Sequence, residues 1–125
     1  MKGCQFLRSN QNKAGVVTTA SGLQYLVLQK GDGDQSPNLN HRVKVNYHGK
    51  LVGGTVFDSG SNNSGPKLIK LADTIEGWRE ALSLMVIGDK IRFFIPSHLA
   101  YGHKAAGAIR RGSTLIFDIE LLDFY

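Results

Sequence analysis

Five aromatic residues are predicted to stand at the ends of structural elements, each beside a turn: Tyr47, Phe57, Trp78, Tyr101 and Phe117. Any one of them alone would be expected in the core, because aromatic side chains carry much of the buried area of a small domain. Together they indicate a ligand pocket, because Phe57 is followed directly by Asp58, and Tyr101 begins a Gly- and Ala-rich loop that has no packing pattern. A shallow aromatic pocket with one carboxylate suits an apolar, neutral ligand.

Residue types that support metal, thiol or phosphate chemistry are scattered along the chain. The four histidines show no ligand spacing and have no cysteine partner, so we expect no metal site. Cys4 is the single cysteine, which excludes a disulfide within the chain, and no histidine lies near it in sequence to activate its thiol. Two carboxylates in residues 31–34 stand where a phosphate-binding loop would hold an anion. We therefore expect no cofactor.

The net charge of the chain lies mainly at its amino-terminal end. The 125 residues include 15 Lys and Arg against 10 Asp and Glu, a formal net charge of +5. Residues 1–30 contain Lys2, Arg8, Lys13 and Lys30 and no acidic residue, so the remainder is close to neutral. Because no aromatic platform is interleaved with these cations, we expect no nucleic-acid partner.

The length of the chain supports one globular domain. Its longest apolar runs are too short for a membrane span, and the first ten residues lack the apolar stretch of a signal peptide. As written, the chain predicts a cytoplasmic protein, whereas export would require a longer precursor. The sequence therefore does not decide the cellular compartment.

The elements that position the aromatics are predicted to be short strands and one helix. Alternating or apolar runs predict strands near residues 23–28, 43–48, 68–71, 90–95 and 114–122, and the Gly-Gly pair within residues 51–57 predicts a tight hairpin. An apolar stripe at spacings of three and four predicts a helix over residues 74–85, and its members are Ile75, Trp78, Leu82 and Met85.

The start of this helix has two further signals. Asp73 and Glu76, three residues apart, resemble a capping box. Gly77 costs about 1 kcal/mol relative to Ala inside a helix, so its presence indicates close packing or the approach of a ligand.

The order of these elements predicts an α+β domain. Five or six strands are joined mostly by hairpin-length links, and the helix precedes the last two. We expect an antiparallel sheet that buries one face under the helix, with a pocket where Ile75 and Trp78 approach the sheet edge. Residues 1–15 are predicted to be a polar basic arm or linker, and residues 16–125 to form the domain.

Five blocks of sequence resemble the FKBP-type peptidyl-prolyl cis-trans isomerase domain, in its order and at its spacing. They are VNYHGKL (residues 45–51), GTVFDS (54–59), IEGWREAL (75–82), AYG (100–102) and TLIFDIELL (114–122). The resemblance implies an FKBP-like fold, a five- to six-stranded antiparallel half-barrel sheet wrapped around one short helix. The resemblance runs from about residue 22 to 124, so it implies that the domain predicted over residues 16–125 is the isomerase domain.

The residues before these blocks resemble a particular branch of the family. Within residues 6–25, the segments FL, NK, GVV and SGLQY are similar to the junction before this domain in macrophage-infectivity-potentiator-like proteins, where a helical dimerisation arm precedes it. Because at most fifteen residues stand before the domain here, we expect the chain as given to be a monomer.

The resemblance implies roles for individual residues. The catalytic set is Tyr47, Phe57, Asp58 and Tyr101, and the substrate-binding set is Thr74, Ile75, Trp78, Ala100, Ile109 and Phe117. Trp78 is implied as the floor of the pocket, with Tyr47, Phe57 and Phe117 as its walls. The backbone N–H of Ile75 and the hydroxyl of Tyr101 are implied donors to carbonyl groups of a substrate or inhibitor. Asp58 is implied to orient Tyr47 and to place negative charge beside the rotating carbonyl, not to act as a base.

The activity that the resemblance implies is rotation about X-Pro peptide bonds. The barrier to this rotation is about 18–20 kcal/mol, because resonance holds the bond planar. A dry aromatic pocket that binds the twisted imide better than the planar one lowers the barrier without a covalent catalyst or a cofactor. The implied partners are proline-containing polypeptides and macrolide inhibitors of the tacrolimus and rapamycin type.

Two departures from the family pattern precede Trp78. Lys67 stands where the family usually has an aromatic wall residue of the pocket. The segment that leads to Trp78 is also about two residues shorter than in well-known small members, so Thr74 replaces the usual Val and Asp73 the usual Glu.

A third departure is in the loop after Tyr101. It reads Ile109-Arg110-Arg111-Gly112 in place of the usual Ile-Pro-Pro, which removes two prolines and adds two cations. The alternative hypothesis is therefore an FKBP-fold binding or chaperone module with weak or no isomerase activity. Such a module would recognise its client through the same groove and a cationic rim of Lys67, Arg110 and Arg111.

Overall fold

A computed structural model of the chain describes residues 3–58, 66–100 and 114–125. The first elements are helix α1 (Gly3–Asn10) and strands β1 (Val16–Thr18), β2 (Gln24–Gln29), β3 (Arg42–Leu51), β4 (Val56–Asp58) and β5 (Lys67–Lys70). A 3₁₀ turn over Leu71–Asp73 leads into helix α2 (Glu76–Ser83). Strand β6 (Lys90–Ile95), a second 3₁₀ turn (Ser97–Leu99) and strand β7 (Leu115–Phe124) complete the described part.

The strands form one antiparallel sheet in the order β1-β2-β6-β7-β3-β4, and β5 also pairs with β3. The long strand β3 pairs along its whole length with β7, from Val43 opposite Phe124 to Leu51 opposite Leu115. Its other edge is shared, because β5 pairs with residues 42–45 and β4 with residues 49 and 50. This arrangement confirms the predicted α+β fold with an antiparallel sheet.

The main core lies between one face of the sheet and helix α2. Strand β7 shows the predicted alternation, since Leu115, Phe117, Ile119 and Leu121 are all buried. The helix contributes the predicted stripe, of which Trp78, Leu82 and Met85 are buried and Ile75 is half-buried. Periods of 2.0 and 3.6 residues therefore bring the apolar faces of strand and helix together.

Helix α2 is shorter than the predicted helix over residues 74–85. Its N-cap is Ile75, which has an extended backbone and no capping side chain, so the expected capping box of Asp73 and Glu76 is wrong. The reason is local: the 3₁₀ turn before the helix contains Asp73 and places it two residues before the N-cap.

The amino-terminal segment has more structure than a solvated linker. Helix α1 packs on the sheet face opposite to α2, with the rings of Phe6 and Phe94 5.7 Å apart. Asn10 is buried, and its Nδ2 donates to Oε1 of Gln24 at 2.8 Å, while Nε2 of Gln24 donates to the carbonyl of Leu7 at 2.8 Å. These contacts satisfy buried polar groups and hold the helix on the sheet. The division into residues 1–15 and 16–125 stays a prediction.

Gly77 marks the closest approach of α2 to the sheet. A Cβ at this position would lie 2.5 Å from Cγ2 of Ile95, which is fully buried, and 3.2 Å from the carbonyl oxygen of Leu99. The glycine therefore allows close packing, which is one of the two explanations given above for a glycine inside this helix.

Replacing Gly77 by alanine tests this constraint. Alanine favours a helix by about 1 kcal/mol, but a Cβ only 2.5 Å from a fully buried side chain places the overpacking cost in the upper part of its usual range of about 1–3 kcal/mol. We therefore expect Gly77→Ala to lower the free energy of unfolding by about 1–2 kcal/mol. Urea denaturation measures the difference. Ser83→Ala, at the exposed end of the same helix, is the control and should change stability by less than about 0.5 kcal/mol. A Gly77→Ala protein as stable as the wild type would contradict the prediction.

Candidate functional site

A cleft of about 190 Å³ opens between the start of helix α2 and the sheet. Strands β3, β5 and β7, the 3₁₀ turn and the helix all contribute to it. The described residues that line it are Tyr47, Ile69, Asp73, Thr74, Ile75, Trp78 and Phe117. Most of this lining is apolar or aromatic, and Asp73 is the carboxylate among these seven residues.

Three aromatic rings form the inner wall of the cleft. The ring of Trp78 stands edge-on to both Tyr47 and Phe117, at centroid distances of 5.1 and 5.3 Å and interplanar angles of 88° and 89°. Tyr47 and Phe117 lie 6.3 Å apart with a tilt of 49°. Edge-to-face contacts of this kind are the favoured geometry for aromatic pairs, because the positive edge of one ring meets the negative face of the other. The three rings therefore fix one another in place.

Pairing between β3 and β7 sets where two of these rings stand. Tyr47 is opposite Ile119, and Gly49 is opposite Phe117, so the two aromatic residues lie two positions apart on the same face. Trp78 and Phe117 are only 5% and 6% exposed, so the wall of the cleft is at the same time part of the core. Its shape should be as rigid as the core itself.

The start of helix α2 supplies the polar groups of the cleft. Thr74 turns both its donors inward, since its N–H and its hydroxyl donate to the carbonyl of Leu71 at 3.2 and 2.7 Å. The carbonyl of Ile75 accepts from the N–H groups of Trp78 and Arg79. In the described part of the chain, no acceptor meets the N–H of Ile75 itself. A free N–H at a helix start can donate to a ligand.

The structure brings five of the predicted site residues together in this cleft: Tyr47, Thr74, Ile75, Trp78 and Phe117. Phe57 and Asp58 belong to β4, and the backbone of Asp58 pairs with Gly49, whose opposite partner is Phe117. Ala100 follows the second 3₁₀ turn and packs against the core; it is absent from the described lining of the cleft. Tyr101 and Ile109 lie outside the described residues, as do Arg110 and Arg111.

Sequence reasoning missed Ile69, which lines the cleft from β5. The expected place for this wall was Lys67, two residues earlier. Both residues face the same side of β5, where they are half-buried, whereas Leu68 and Lys70 are exposed on the other side. The period of two along this strand was the signal that could have identified Ile69. Asp73, expected as a helix cap, instead lies at the cleft.

The ion pair between Arg92 and Asp118 lies away from the cleft. The carboxylate of Asp118 accepts from Nε and Nη2 of Arg92 at 2.7 and 3.1 Å. This hydrogen bonding, helped by charge attraction and opposed by partial burial, raises the pKa of Arg92 above its ordinary value. Asp118 points to the opposite side of β7 from its neighbour Phe117, so the pair takes no part in the cleft.

Two further features are absent from the described ranges. No group of three or more His, Cys, Asp or Glu residues there could hold a metal ion. No helix in those ranges is long and apolar enough to cross a membrane.

Comparison with known proteins gives family matches along almost the whole chain. Residues 33–122 match the family model described as FKBP-type peptidyl-prolyl cis-trans isomerase. Residues 1–27 match the model described as the domain amino terminal to FKBP-type peptidyl-prolyl isomerase.

Individual relatives and solved structures agree with these matches. The chain is 48% identical to the peptidyl-prolyl cis-trans isomerase Mip of Coxiella burnetii over 97% of its length and 53% of the relative's. It is 46% identical to the FKBP-type 22 kDa peptidyl-prolyl cis-trans isomerase of Escherichia coli, over 98% of its length and 59% of the relative's. The chain thus spans about half the length of the curated relatives it matches.

Two solved structures share the fold. The crystal structure of FkpA from Escherichia coli superposes with a TM-score of 0.92 at 38% identity, covering 98% of this chain and 57% of that one. A peptidyl-prolyl cis-trans isomerase from Pseudomonas syringae gives a TM-score of 0.89 at 36% identity, covering 98% of this chain and 90% of that one.

Loosening the aromatic wall should be visible at Trp78, the one tryptophan of the chain. Phe117→Leu keeps an apolar side chain but removes two ring contacts, so we expect a loss of about 1–2 kcal/mol in the free energy of unfolding and a red shift of Trp78 emission. Phe124→Leu is the matched control, because Phe124 lies on the same strand and contacts the ring of His41 instead. An emission shift of equal size in both variants would contradict the predicted contact.

Proposed function

The chain belongs to the FKBP-type peptidyl-prolyl cis-trans isomerase family, and from this premise we propose that it catalyses rotation about X-Pro peptide bonds in polypeptides. The observation that carries the proposal is the apolar cleft with three interlocked rings and, at its edge, the N–H of Ile75, which meets no acceptor among the residues that the structure describes. The activity, its substrates and its inhibitors are all part of the proposal.

The size of the cleft favours a small apolar group as its occupant. Pockets for drug-sized ligands usually measure about 300–1,000 Å³. A cleft of about 190 Å³ is smaller than these, so a proline ring with part of the preceding residue suits it better than a long segment. The rest of the polypeptide then lies along the open side.

Rotation about the X-Pro bond requires no covalent chemistry from the protein. Resonance holds the bond planar with a barrier of about 18–20 kcal/mol, and no atom is transferred when it turns. A pocket needs only to bind the twisted imide more tightly than the planar one. The twisted bond has lost resonance and has a less polar oxygen, so a dry wall made by Tyr47, Trp78 and Phe117 favours it.

The free N–H of Ile75 gives the bound segment its orientation. Hydrogen bonding to a substrate carbonyl would hold the backbone on one side of the proline while the other side turns. Thr74 cannot compete for that carbonyl, because its hydroxyl and N–H already donate to Leu71. We assign Ile75 as the main-chain anchor of the substrate.

Further roles follow from the family resemblance and remain part of the proposal. Asp58 orients Tyr47 and places negative charge beside the rotating carbonyl, and Phe57 completes the wall. Tyr101 donates its hydroxyl to a second carbonyl, while Ala100 and Ile109 border the substrate. Residues 16–125 act as the isomerase domain, and the chain as given is a monomer.

The wall formed by Ile69 gives a direct test of where the substrate binds. In a peptide assay with an apolar residue before proline, Ile69→Ala should lower kcat/KM about 10-fold, because it removes apolar contact from the cleft. Leu68→Ala is the control: the neighbouring side chain is 51% exposed on the other side of β5, so activity should be unchanged. Equal effects of the two variants would place the substrate elsewhere. A wild-type chain that binds the peptide without accelerating its isomerisation would instead favour a binding module.

Macrolides of the tacrolimus and rapamycin type should insert an apolar part of the molecule into the same cleft, with the remainder along its open side. Titration into the wild type is expected to change Trp78 fluorescence and to inhibit peptide isomerisation over the same concentration range. Phe57→Ala should raise the dissociation constant about 10-fold by removing part of the wall. Phe124→Leu, on a part of β7 away from the cleft, should leave it unchanged. Inhibition without a change in Trp78 fluorescence would contradict a shared cleft.

A further inference from the structure

The turn between strands β1 and β2 is hydrogen-bonded to helix α2. The hydroxyl of Thr19 donates to Oε2 of Glu80 at 2.7 Å, and the hydroxyl of Ser21 donates to Oε1 of the same carboxylate. Glu80 lies in α2 two residues after Trp78 and is half-buried. Both carboxylate oxygens are therefore held by a segment that is separated from the helix by about sixty residues of sequence.

The same turn is also bonded to the 3₁₀ turn that follows β6. Nε2 of His98 donates to the carbonyl of Ser21 at 2.8 Å. Gly22 has a positive φ of 95° and lies directly beside this ring, since a Cβ there would be 3.5 Å from Cε1 of His98. His98 precedes Ala100 by two residues. We call the four residues Thr19, Ser21, Glu80 and His98 the Glu80 clamp.

The turn that carries the two hydroxyls is itself closed by backbone hydrogen bonds. The N–H of Thr19 donates to the carbonyl of Leu23 at 2.8 Å, and the N–H of Gly22 donates to the carbonyl of Thr19 at 3.0 Å. Leu23, the next residue, is completely buried in the core. Glu80 is thus held by a fixed part of the fold and not by two mobile surface side chains.

Helix α2 packs on the sheet through apolar side chains. Such contacts drive the helix onto the sheet but have little directional preference, so they tolerate small shifts along or about the helix axis. Hydrogen bonds weaken steeply as distance and angle depart from their optimum. A carboxylate held through both oxygens restricts these shifts at the residue two places after Trp78.

We propose that the Glu80 clamp positions the cleft, holding Trp78 through α2 and Ala100 through the second 3₁₀ turn. The four residues are positioning residues, since none of them is among those that line the cleft. This inference rests on the proposed isomerase function, which gives the positioning its purpose. It gives the turn between β1 and β2 a part in substrate turnover, although that turn does not touch the substrate.

The variants Glu80→Ala and Glu80→Gln test the clamp. Alanine removes the acceptor, whereas the glutamine oxygen can accept from one hydroxyl while its NH₂ donates to the oxygen of the other. Glu76→Ala is the matched control, because Glu76 is an exposed glutamate in the first turn of the same helix. Ser21→Ala removes one of the two hydroxyls that donate to the carboxylate of Glu80.

The first measurement is steady-state isomerisation at a temperature where circular dichroism shows every variant folded. Glu80→Ala should lower kcat about 10-fold with little change in KM, because the apolar walls still bind proline but are displaced from the twisted imide. Ser21→Ala should lower kcat in the same direction, and Glu80→Gln should restore most of the loss. Variants that unfold more easily but keep the wild-type kcat when folded would overturn the inference and leave a purely structural role.

The second measurement does not depend on activity. The single tryptophan gives one indole N–H resonance in a nitrogen-proton correlation spectrum. Its chemical shift should move in Glu80→Ala and stay in place in Glu80→Gln and Glu76→Ala. If the wild type proves inactive, the proposed function fails, and this spectrum still decides whether the clamp positions Trp78. An unmoved resonance in Glu80→Ala would overturn the inference.

Discussion

The close approach of helix α2 to strand β6 is the constraint on which the cleft depends. Gly77 has no side chain, so the helix backbone lies against the buried Ile95, and the next residue, Trp78, reaches side chains on β3 and β7. Its indole then meets Tyr47 and Phe117 edge to face.

A side chain at position 77 would push the helix outward and separate the rings. Gly77 and Trp78 therefore act together. Gly77 sets the distance between the helix and the sheet, and that distance lets Trp78 contact the two rings.

In this cleft, the side chains that would contact a ligand are also side chains of the packed core. The aromatic wall belongs to the hydrophobic core, so the free energy that stabilises the fold also keeps the rings in position. The proposed rotation about a peptide bond requires no proton transfer, which suits a cleft that presents an apolar surface and the backbone N–H of Ile75. Preorganisation of this kind reduces what must be reordered when the bond twists. The ion pair of Arg92 and Asp118 remains on the other side of the sheet, where it has no influence on the apolar wall.

Local periodicity predicted the core, because β7 alternates and α2 has an apolar stripe at helical spacing. The aromatic residues at element ends and the family resemblance both predicted an aromatic pocket, but no local pattern gives the β3–β7 register that puts Gly49 opposite Phe117. Ile69 was missed because the family pattern places this wall at Lys67, two residues earlier on the same side of β5. Helix α1 was missed because its stability comes from tertiary contacts, such as Phe6 with Phe94, and not from a strong helical pattern of its own.

The amino-terminal segment is joined to the sheet more firmly than its polar composition suggests. Gln24 on β2 is only 3% exposed, and the partners of its amide group lie on helix α1: Asn10 donates to its oxygen, and the carbonyl of Leu7 accepts from its nitrogen. Removing α1 would leave that amide without these partners, at a cost of about 1–3 kcal/mol if it stays buried. Five residues before Gln24, Thr19 begins the turn that binds helix α2. The hairpin of β1 and β2 therefore connects a helix on one face of the sheet to the helix on the other, and the physical unit that supports the cleft extends upstream of residue 16.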